Sequence, residues 1–491
     1  MKSLLWSFSS AVVLVELLAL SFRLDYWRNR ANKVEHAALA FSETQDESRQ
    51  GKLILIAAVN LLGLVIYIWG ILALFYLVLE IFPEEAKLKE NFFLWSTSVA
   101  FFAYAWLRAT WLERYQHKVQ QHDSSITEDH KAAYSRISRW LHWMALEIGI
   151  VRKTSLELEK ILFLKKATRD PRIIDEPVYI MGLARSGTTV VLEILESTGA
   201  FHSSTYRNMP FVLCPNLWQR LTKHSRLNGK NATRAHGDGI LVGFDSPEGF
   251  EEVFWRTNCK VQDGKAWDYS LPSEGDLKDF AAYRRLSVLS ALPNFYKFKH
   301  PSQPLRYLSK NNNNVLRLHE LSAQSGAHLV IIIRDPLSTA WSLYRLHKRF
   351  KDMQAEDSFV RAYMRWLGHH EFGLDHKPLI TGLQHLKGLN PDQPDYWLAY
   401  WSGIYQNIWY VYKNLPSDHR SRIQWMPHER LCQAPAKELA RLFKFAKIEQ
   451  EVDKYVNKIK SFEEVDLTSK FNKDLTEVAY CLHNEIILSV H

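Results

Sequence analysis

A short apolar run that breaks into a glycine-bounded turn narrows most sharply what this chain can become. In Val178-Tyr-Ile-Met-Gly-Leu-Ala-Arg-Ser-Gly-Thr-Thr189, Val178 to Met181 reads as a buried strand, Gly182 to Gly187 as a tight turn, and Thr188 to Leu195 as the opening of a helix. Such a turn aims several backbone N–H groups and a helix N-terminus at one anion. The nucleotide triphosphatase pattern G-x-x-x-x-G-K-[ST] sets a lysine directly after its second glycine, where it reaches the β- and γ-phosphates. Here that position is Thr188. The cation is Arg185, inside the loop, followed by Ser186 and by the hydroxyls of Thr188 and Thr189, which suit a single phosphate or sulfate group.

A second strand end has the same character. His328-Leu-Val-Ile-Ile-Ile-Arg-Asp-Pro336 is another buried strand, closing on Arg334, and Leu337-Ser-Thr-Ala-Trp-Ser-Leu-Tyr344 has helical periodicity. Asp335 and Pro336 suit the cap and first position of that helix. Ser342 follows Arg334 by eight residues, roughly two helical turns, and so lies on the same side as the helix start.

Together the two segments resemble the nucleotide sites of the sulfotransferase superfamily, whose members use the sulfate donor PAPS (3′-phosphoadenosine 5′-phosphosulfate). The resemblance implies that Arg185, Ser186, Gly187, Thr188 and Thr189 hold the 5′-phosphosulfate and that Arg334 and Ser342 grip the 3′-phosphate. It extends from about Asp175 to the C-terminus and is strongest at these two sites. Thr205-Tyr-Arg-Asn-Met-Pro210 and His236-Gly-Asp-Gly-Ile240 also look like segments of a bacterial subgroup, here membrane-anchored. Alternation of polar loops and helical stretches between the two strands agrees with an α/β domain: a P-loop-like, mostly parallel sheet flanked by helices.

At 491 residues and 47% hydrophobic content, the chain has room for one large catalytic domain and an accessory region. Its net charge of +9 fits an anionic cosubstrate or an anionic membrane surface. No dense basic run with interleaved aromatics points to nucleic acid. Cys214, Cys259, Cys432 and Cys481 lack metal-binding spacing and are expected to be reduced thiols.

The accessory region reads as a membrane segment, residues 1–115, with two or three transmembrane helices ahead of the catalytic fold. Leu53 to Leu79 carries no charge and exceeds the ~20 residues a spanning helix needs. Leu4 to Phe22 is interrupted by Glu16, and Phe92 to Leu107 is shorter. Arg23, Arg28, Arg30 and Lys33 follow the first candidate, and Arg108, Arg114 and Lys118 follow the third. With three spans, the positive-inside rule puts the catalytic domain on the cytoplasmic side, where PAPS is made. The sequon at Asn231 would matter only in a secretory lumen. Residues 116–174 read as an amphipathic helical connector, with a polar boundary from Arg169 to Pro177, and residues 175–491 as the catalytic domain.

Sulfuryl transfer requires an in-line acceptor, a base for its proton and positive charge at the leaving phosphate, but no metal. Lys310, in Leu308-Ser-Lys-Asn-Asn-Asn-Asn314, matches the family's lysine loop, and Asn314 stands where many members have histidine. Arg185 and Lys310 are therefore the expected catalytic cations. Phe244-Asp-Ser-Pro-Glu-Gly-Phe-Glu-Glu252 resembles an acidic segment of related sequences and makes Glu248 the first choice of base. Glu251 and Glu252 are expected to face the acceptor pocket as well, with Asp245 orienting one of them and His236 as an alternative base. Trp397 to Tyr412 reads as core, Glu429 as structural beside His428, and Lys470 or Lys473 as a further PAPS contact. The expected reaction is transfer from PAPS to a hydroxyl or amine of a carbohydrate, lipid or small molecule. An atypical kinase or NTPase and a noncatalytic membrane scaffold are the alternatives.

Overall fold

The computed structural model describes residues 136–222, 232–233, 241–242, 249–259, 261–263, 267–269, 271–292, 304–461 and 465–490. The candidate membrane segments, Asn231, His236, Asp245 and Glu248 lie outside the described residues. No described helix is long and apolar enough to cross a membrane. All described residues fall in one compact unit, Asp129–His491.

Two helices come first, α1 (Arg136–Glu147) and α2 (Gly149–Arg169). Then follow β1 (Ile173–Met181), α3 (Thr188–Ser197), β2 (Phe201–His202), α4 (Glu252–Asn258) and α5 (Glu274–Ala291). The second half holds β3 (Leu305–Lys310), β4 (His328–Ile333), α6 (Pro336–Glu356), α7 (Ser358–Leu367), α8 (Pro394–Asn414), β5 (Ile423–Pro427), α9 (His428–Gln433), α10 (Pro435–Phe445) and α11 (Lys473–Ser489).

These five strands form one parallel sheet in the order β2-β3-β1-β4-β5, and the other described strands make two small antiparallel pairs. From β1 the chain moves to one side of the sheet for β2 and β3, then crosses to the other for β4 and β5. That reversal leaves a crevice at the carboxyl ends of the strands beside β1, the usual ligand position in such sheets. Register aligns those ends: Ile180 pairs with Lys310, Met181 with Ile331 and Ile333 with Pro427.

Both faces of the sheet are covered, which explains why β1 and β4 are continuous apolar runs. Tyr179, Met181, Leu329, Ile331 and Ile333 join the larger core, while Val178, Ile180, Val330 and Ile332 join the smaller core with α3 and α10. Leu146, Leu156, Phe163 and Ala167 of α1 and α2 belong to the larger core, so the described part of the connector is packed into the catalytic layer. The polar boundary expected over 169–177 is instead a helix end and the first half of β1. Its polarity has a local cause: Asp175 lies at the sheet's amino edge and pairs with Arg284 and Arg285 of α5 at 3.3 and 2.9 Å. Helix α8 buries Trp397, Trp401 and Tyr405, as its aromatic density implied. The four cysteines are free thiols.

Candidate active site

Three backbone angles shape the loop after β1. Gly182 (φ 143°), Arg185 (φ 70°) and Gly187 (φ 97°) are all in the left-handed half of the map, which an ordinary side chain such as arginine enters only under constraint. Space adds to the demand for glycine. A Cβ on Gly182 would stand 2.5 Å from the Ile332 carbonyl, and one on Gly187 would run into the His428 ring. The loop therefore rests directly on the ends of β4 and β5. Tyr405 pins it from below, its hydroxyl donating to the Ile332 carbonyl (2.7 Å) and accepting from the Leu183 N–H (3.4 Å).

Ser186 is fully buried, and its hydroxyl donates to the Leu183 carbonyl at 2.7 Å. Its proton thus closes the loop on itself, rather than reaching outward with the threonines as expected. Thr188 and Thr189, at the start of α3, line a cleft. The first N–H groups of a helix have no partner within it and suit an anion there.

Arg334 follows β4 directly. Asp335 caps α6, its Oδ1 accepting from the Ser338 N–H at 2.7 Å, with Pro336 in the first turn. Two other elements hold that cap. Glu429 Oε1 accepts from the Asp335 N–H (2.8 Å), and the Tyr480 hydroxyl donates to Asp335 Oδ2 (3.0 Å). Glu429 is thus structural, and burial raises its carboxyl pKa. His428 is kept neutral beneath Gly187, its pKa lowered to about 4 by burial and then by Arg334.

The two halves meet. Arg334 Nη1 donates to the Arg185 carbonyl at 3.0 Å, and Arg185 Nε donates to Ser342 Oγ at 3.0 Å. Residues far apart in sequence are thereby joined at one strand edge.

On the other side of β1, strand β3 ends at Lys310, and in the asparagine run that follows every side-chain NH2 group has an acceptor. Asn311 Nδ2 donates to Glu252 (2.6 Å) and Glu251 (3.2 Å), Asn314 to Glu251 (2.5 Å), Asn313 to the Gly368 carbonyl (3.4 Å) and Asn312 to Glu371 (3.5 Å). Arg317 completes the network, its Nη2 2.9 Å from Glu252 Oε1 and its guanidinium 4.8 Å above the Trp255 ring. The Tyr307 hydroxyl donates to Glu251 at 3.1 Å. Glu251 and Glu252 are each 1% exposed. The expectation that they face an acceptor pocket is therefore corrected: they balance a buried arginine and satisfy buried amides. Asn314, in the histidine position, is part of that same framework.

The cleft measures about 620 Å³ including its open mouth. Ala184, Arg185, Thr188 and Thr189 form one part of its lining, and Gly249, Lys310, Asn311 and Asn312 another. The rest comes from Leu346, Met364 and Phe372, with His369 and Glu371 beside them. Arg185 and Lys310 share this space, as the sequence suggested. His369 and Glu371 were not anticipated. They lie among 20 histidines and 53 acidic residues, with no motif to single them out. Of the two C-terminal lysines, Lys470 lies over Trp341, next to Ser342, at 5.9 Å, whereas Lys473 is 4.0 Å from Glu477 on an exposed helix face.

A family model described as "Sulfotransferase domain" matches residues 175–476. Among solved structures, sulfotransferase STF9 from Mycobacterium avium is 11% identical with a TM-score of 0.42, over 74% of this chain and 92% of that one. Sulfotransferase STF1 from Mycobacterium tuberculosis H37Rv is 12% identical with a TM-score of 0.38, over 68% of this chain and 83% of that one. Curated protein sequences include no match to this chain.

Proposed function

This chain belongs to the sulfotransferase domain family, and from that premise we propose that it carries a sulfuryl group from PAPS to a hydroxyl or amine of a carbohydrate, lipid or small molecule, releasing adenosine 3′,5′-bisphosphate. The observation that supports this reading is the meeting of the two strand ends, where Arg334 donates to the Arg185 carbonyl and Arg185 to the Ser342 hydroxyl. A nucleotide with phosphate at both ends needs two cationic sites one ribose apart, and a triphosphate does not.

In this reading the N–H groups of Gly187, Thr188 and Thr189 and the two threonine hydroxyls hold the phosphosulfate, with Ser186 shaping the loop. Arg334, Ser342 and Lys470 take the 3′-phosphate. Arg185 and Lys310, sharing the cleft, offset the charge that builds on the departing phosphate oxygen. The apolar segments before residue 116 hold the catalytic unit at the cytoplasmic face of a membrane, which makes a lipid-linked acceptor a natural candidate.

The test is incubation of membranes containing the protein with radiolabelled PAPS and extracted glycans and lipids. A labelled product is expected, and Arg185→Ala should lower labelling by about 10²–10³-fold, as loss of a transition-state charge partner does. Labelling by the variant at the original rate, or ATP turnover with Mg²⁺ in place of transfer from PAPS, overturns the assignment.

A further inference from the structure

We propose that His369 is the base that takes the acceptor's proton. The proposal rests on the PAPS reading and assigns a group that the loop, Lys310 and the asparagine run do not provide. Sulfuryl transfer to an alcohol or amine leaves one proton to be removed, and the collecting group must reach the acceptor as it bonds to sulfur.

Among the described residues, four ionisable side chains line the cleft: Arg185, Lys310, His369 and Glu371. The first two are cations. Of the others, Glu371 already accepts the Asn312 amide at 3.5 Å, whereas the His369 ring makes no hydrogen bond among the described residues. Its neighbour His370 turns the other way, with Nδ1 3.2 Å from the Asp375 carbonyl, and burial lowers its pKa. Of two consecutive histidines, one is used in the interior and the other faces the cleft.

The backbone that carries His369 is fixed from two sides. Helix α7 ends on Gly368 in the left-handed conformation (φ 75°), and the His369 N–H donates back to the Met364 carbonyl at 2.9 Å, the signature of a Schellman cap. A Cβ on Gly368 would stand 2.7 Å from Glu252 Cγ, and the Gly368 carbonyl accepts the Asn313 amide. The network that terminates β3 at Lys310 therefore also sets the position of His369. One rigid frame holds the cation and the proton acceptor of a single cleft. Histidine is also the side chain that ordinarily exchanges its proton near neutral pH.

In the step itself, the acceptor oxygen or nitrogen bonds to sulfur while the bond from sulfur to the bridging oxygen of PAPS breaks. That electron pair stays on the departing 5′-phosphate. The acceptor's proton passes to a ring nitrogen of His369 and from there to solvent through the cleft mouth.

The experiment uses the full-length protein in membranes, radiolabelled PAPS and the acceptor extract that it labels, with adenosine 3′,5′-bisphosphate binding measured in parallel. His369→Ala is expected to lower the transfer rate by about 10²–10⁴-fold, to leave bisphosphate affinity unchanged and to abolish the acidic limb of the pH–rate profile. Added imidazole should restore transfer, which a merely structural role would not allow. The proposal is overturned if imidazole gives no rescue while bisphosphate still binds, or if His369→Ala and His369→Gln both lose bisphosphate binding. It also falls if the acidic limb disappears in Glu371→Gln, or in Glu248→Gln, whose neighbour Gly249 lines the same cleft, and persists in His369→Ala. Failure of the PAPS reading looks different: the unaltered protein would itself neither bind the bisphosphate nor label any acceptor.

Discussion

Gly187 carries two separate constraints, and they can be measured apart. Its φ of 97° costs any other residue about 1–2 kcal/mol, and its missing side chain makes room for the His428 ring. Gly187→Ala should therefore destabilise the protein by about 2–4 kcal/mol when the steric clash is added to the backbone term. In a His428→Ala background the cost should shrink towards the backbone term alone. Denaturant unfolding of the two single variants and the double variant checks this. Strictly additive losses would mean that the ring does not press on the loop. At this scale the sequence was legible where backbone demands are intrinsic: the two glycines were readable as a tight turn and Thr188 as the first residue of the helix it opens. Ser186 was not, because the direction of a hydroxyl depends on which acceptor comes nearest, and that acceptor is the Leu183 carbonyl of the folded loop.

The frame between β3, α4 and α7 separates stability from chemistry. Arg317 is 2% exposed against Glu252 at 1%, so Arg317→Leu leaves a buried carboxylate without its counter-charge and should cost about 3–5 kcal/mol. Lys310→Ala, at the half-buried end of the same strand, should leave the unfolding midpoint nearly unchanged and depress sulfuryl transfer instead. Thermal unfolding beside the labelling assay distinguishes them, and equal loss of stability in both variants would contradict the division. The helix after β4 gives a smaller effect. Removing its cap with Asp335→Ala should cost about 1–2 kcal/mol, because the Ser338 N–H loses its acceptor in a half-buried site. Strands β1 and β4 and the helices after them could be read from pattern, since burial on both faces leaves a continuous apolar run. The role of the asparagine run could not, because its carboxylate partners Glu251 and Glu252 are about 60 residues away in sequence.

Acid should weaken the whole molecule. Burial, first among the causes, lowers His142, His202, His347 and His428 to about 4 and His376 to about 3, from an ordinary 6.5. A group depressed in the folded state favours folding above its unfolded pKa and loses that contribution as pH falls towards the folded value. Glu159 works in the opposite sense. Burial raises it to about 7 despite bonds from Asn216 and Leu217, so it favours folding at low pH and loses that contribution as pH rises through 7. Five histidines outweigh Glu159 and Glu429, whose carboxyl burial also raises, between pH 6.5 and 4.5, so stability should fall on acidification across that window. Melting temperatures from pH 8 to 5 provide the measurement, and a flat or rising profile on acidification would show that these rings are not held neutral.

The sequence by itself determined what depends on neighbouring residues: two buried strands, the turns at their ends, the helices those turns open, and a cation in or beside each turn. Those features follow from steric limits on φ, from apolar periodicity and from capping, all of which act over a few residues. The tertiary structure alone decided which groups share the cleft. It joined Arg185 to Ser342 and Arg334, withdrew Glu251 and Glu252 into a buried ion pair and amide network, and brought His369 into the cleft that Lys310 also lines. Burial and hydrogen-bond satisfaction made those choices, and both are settled only when segments tens to hundreds of residues apart compete for the same interior.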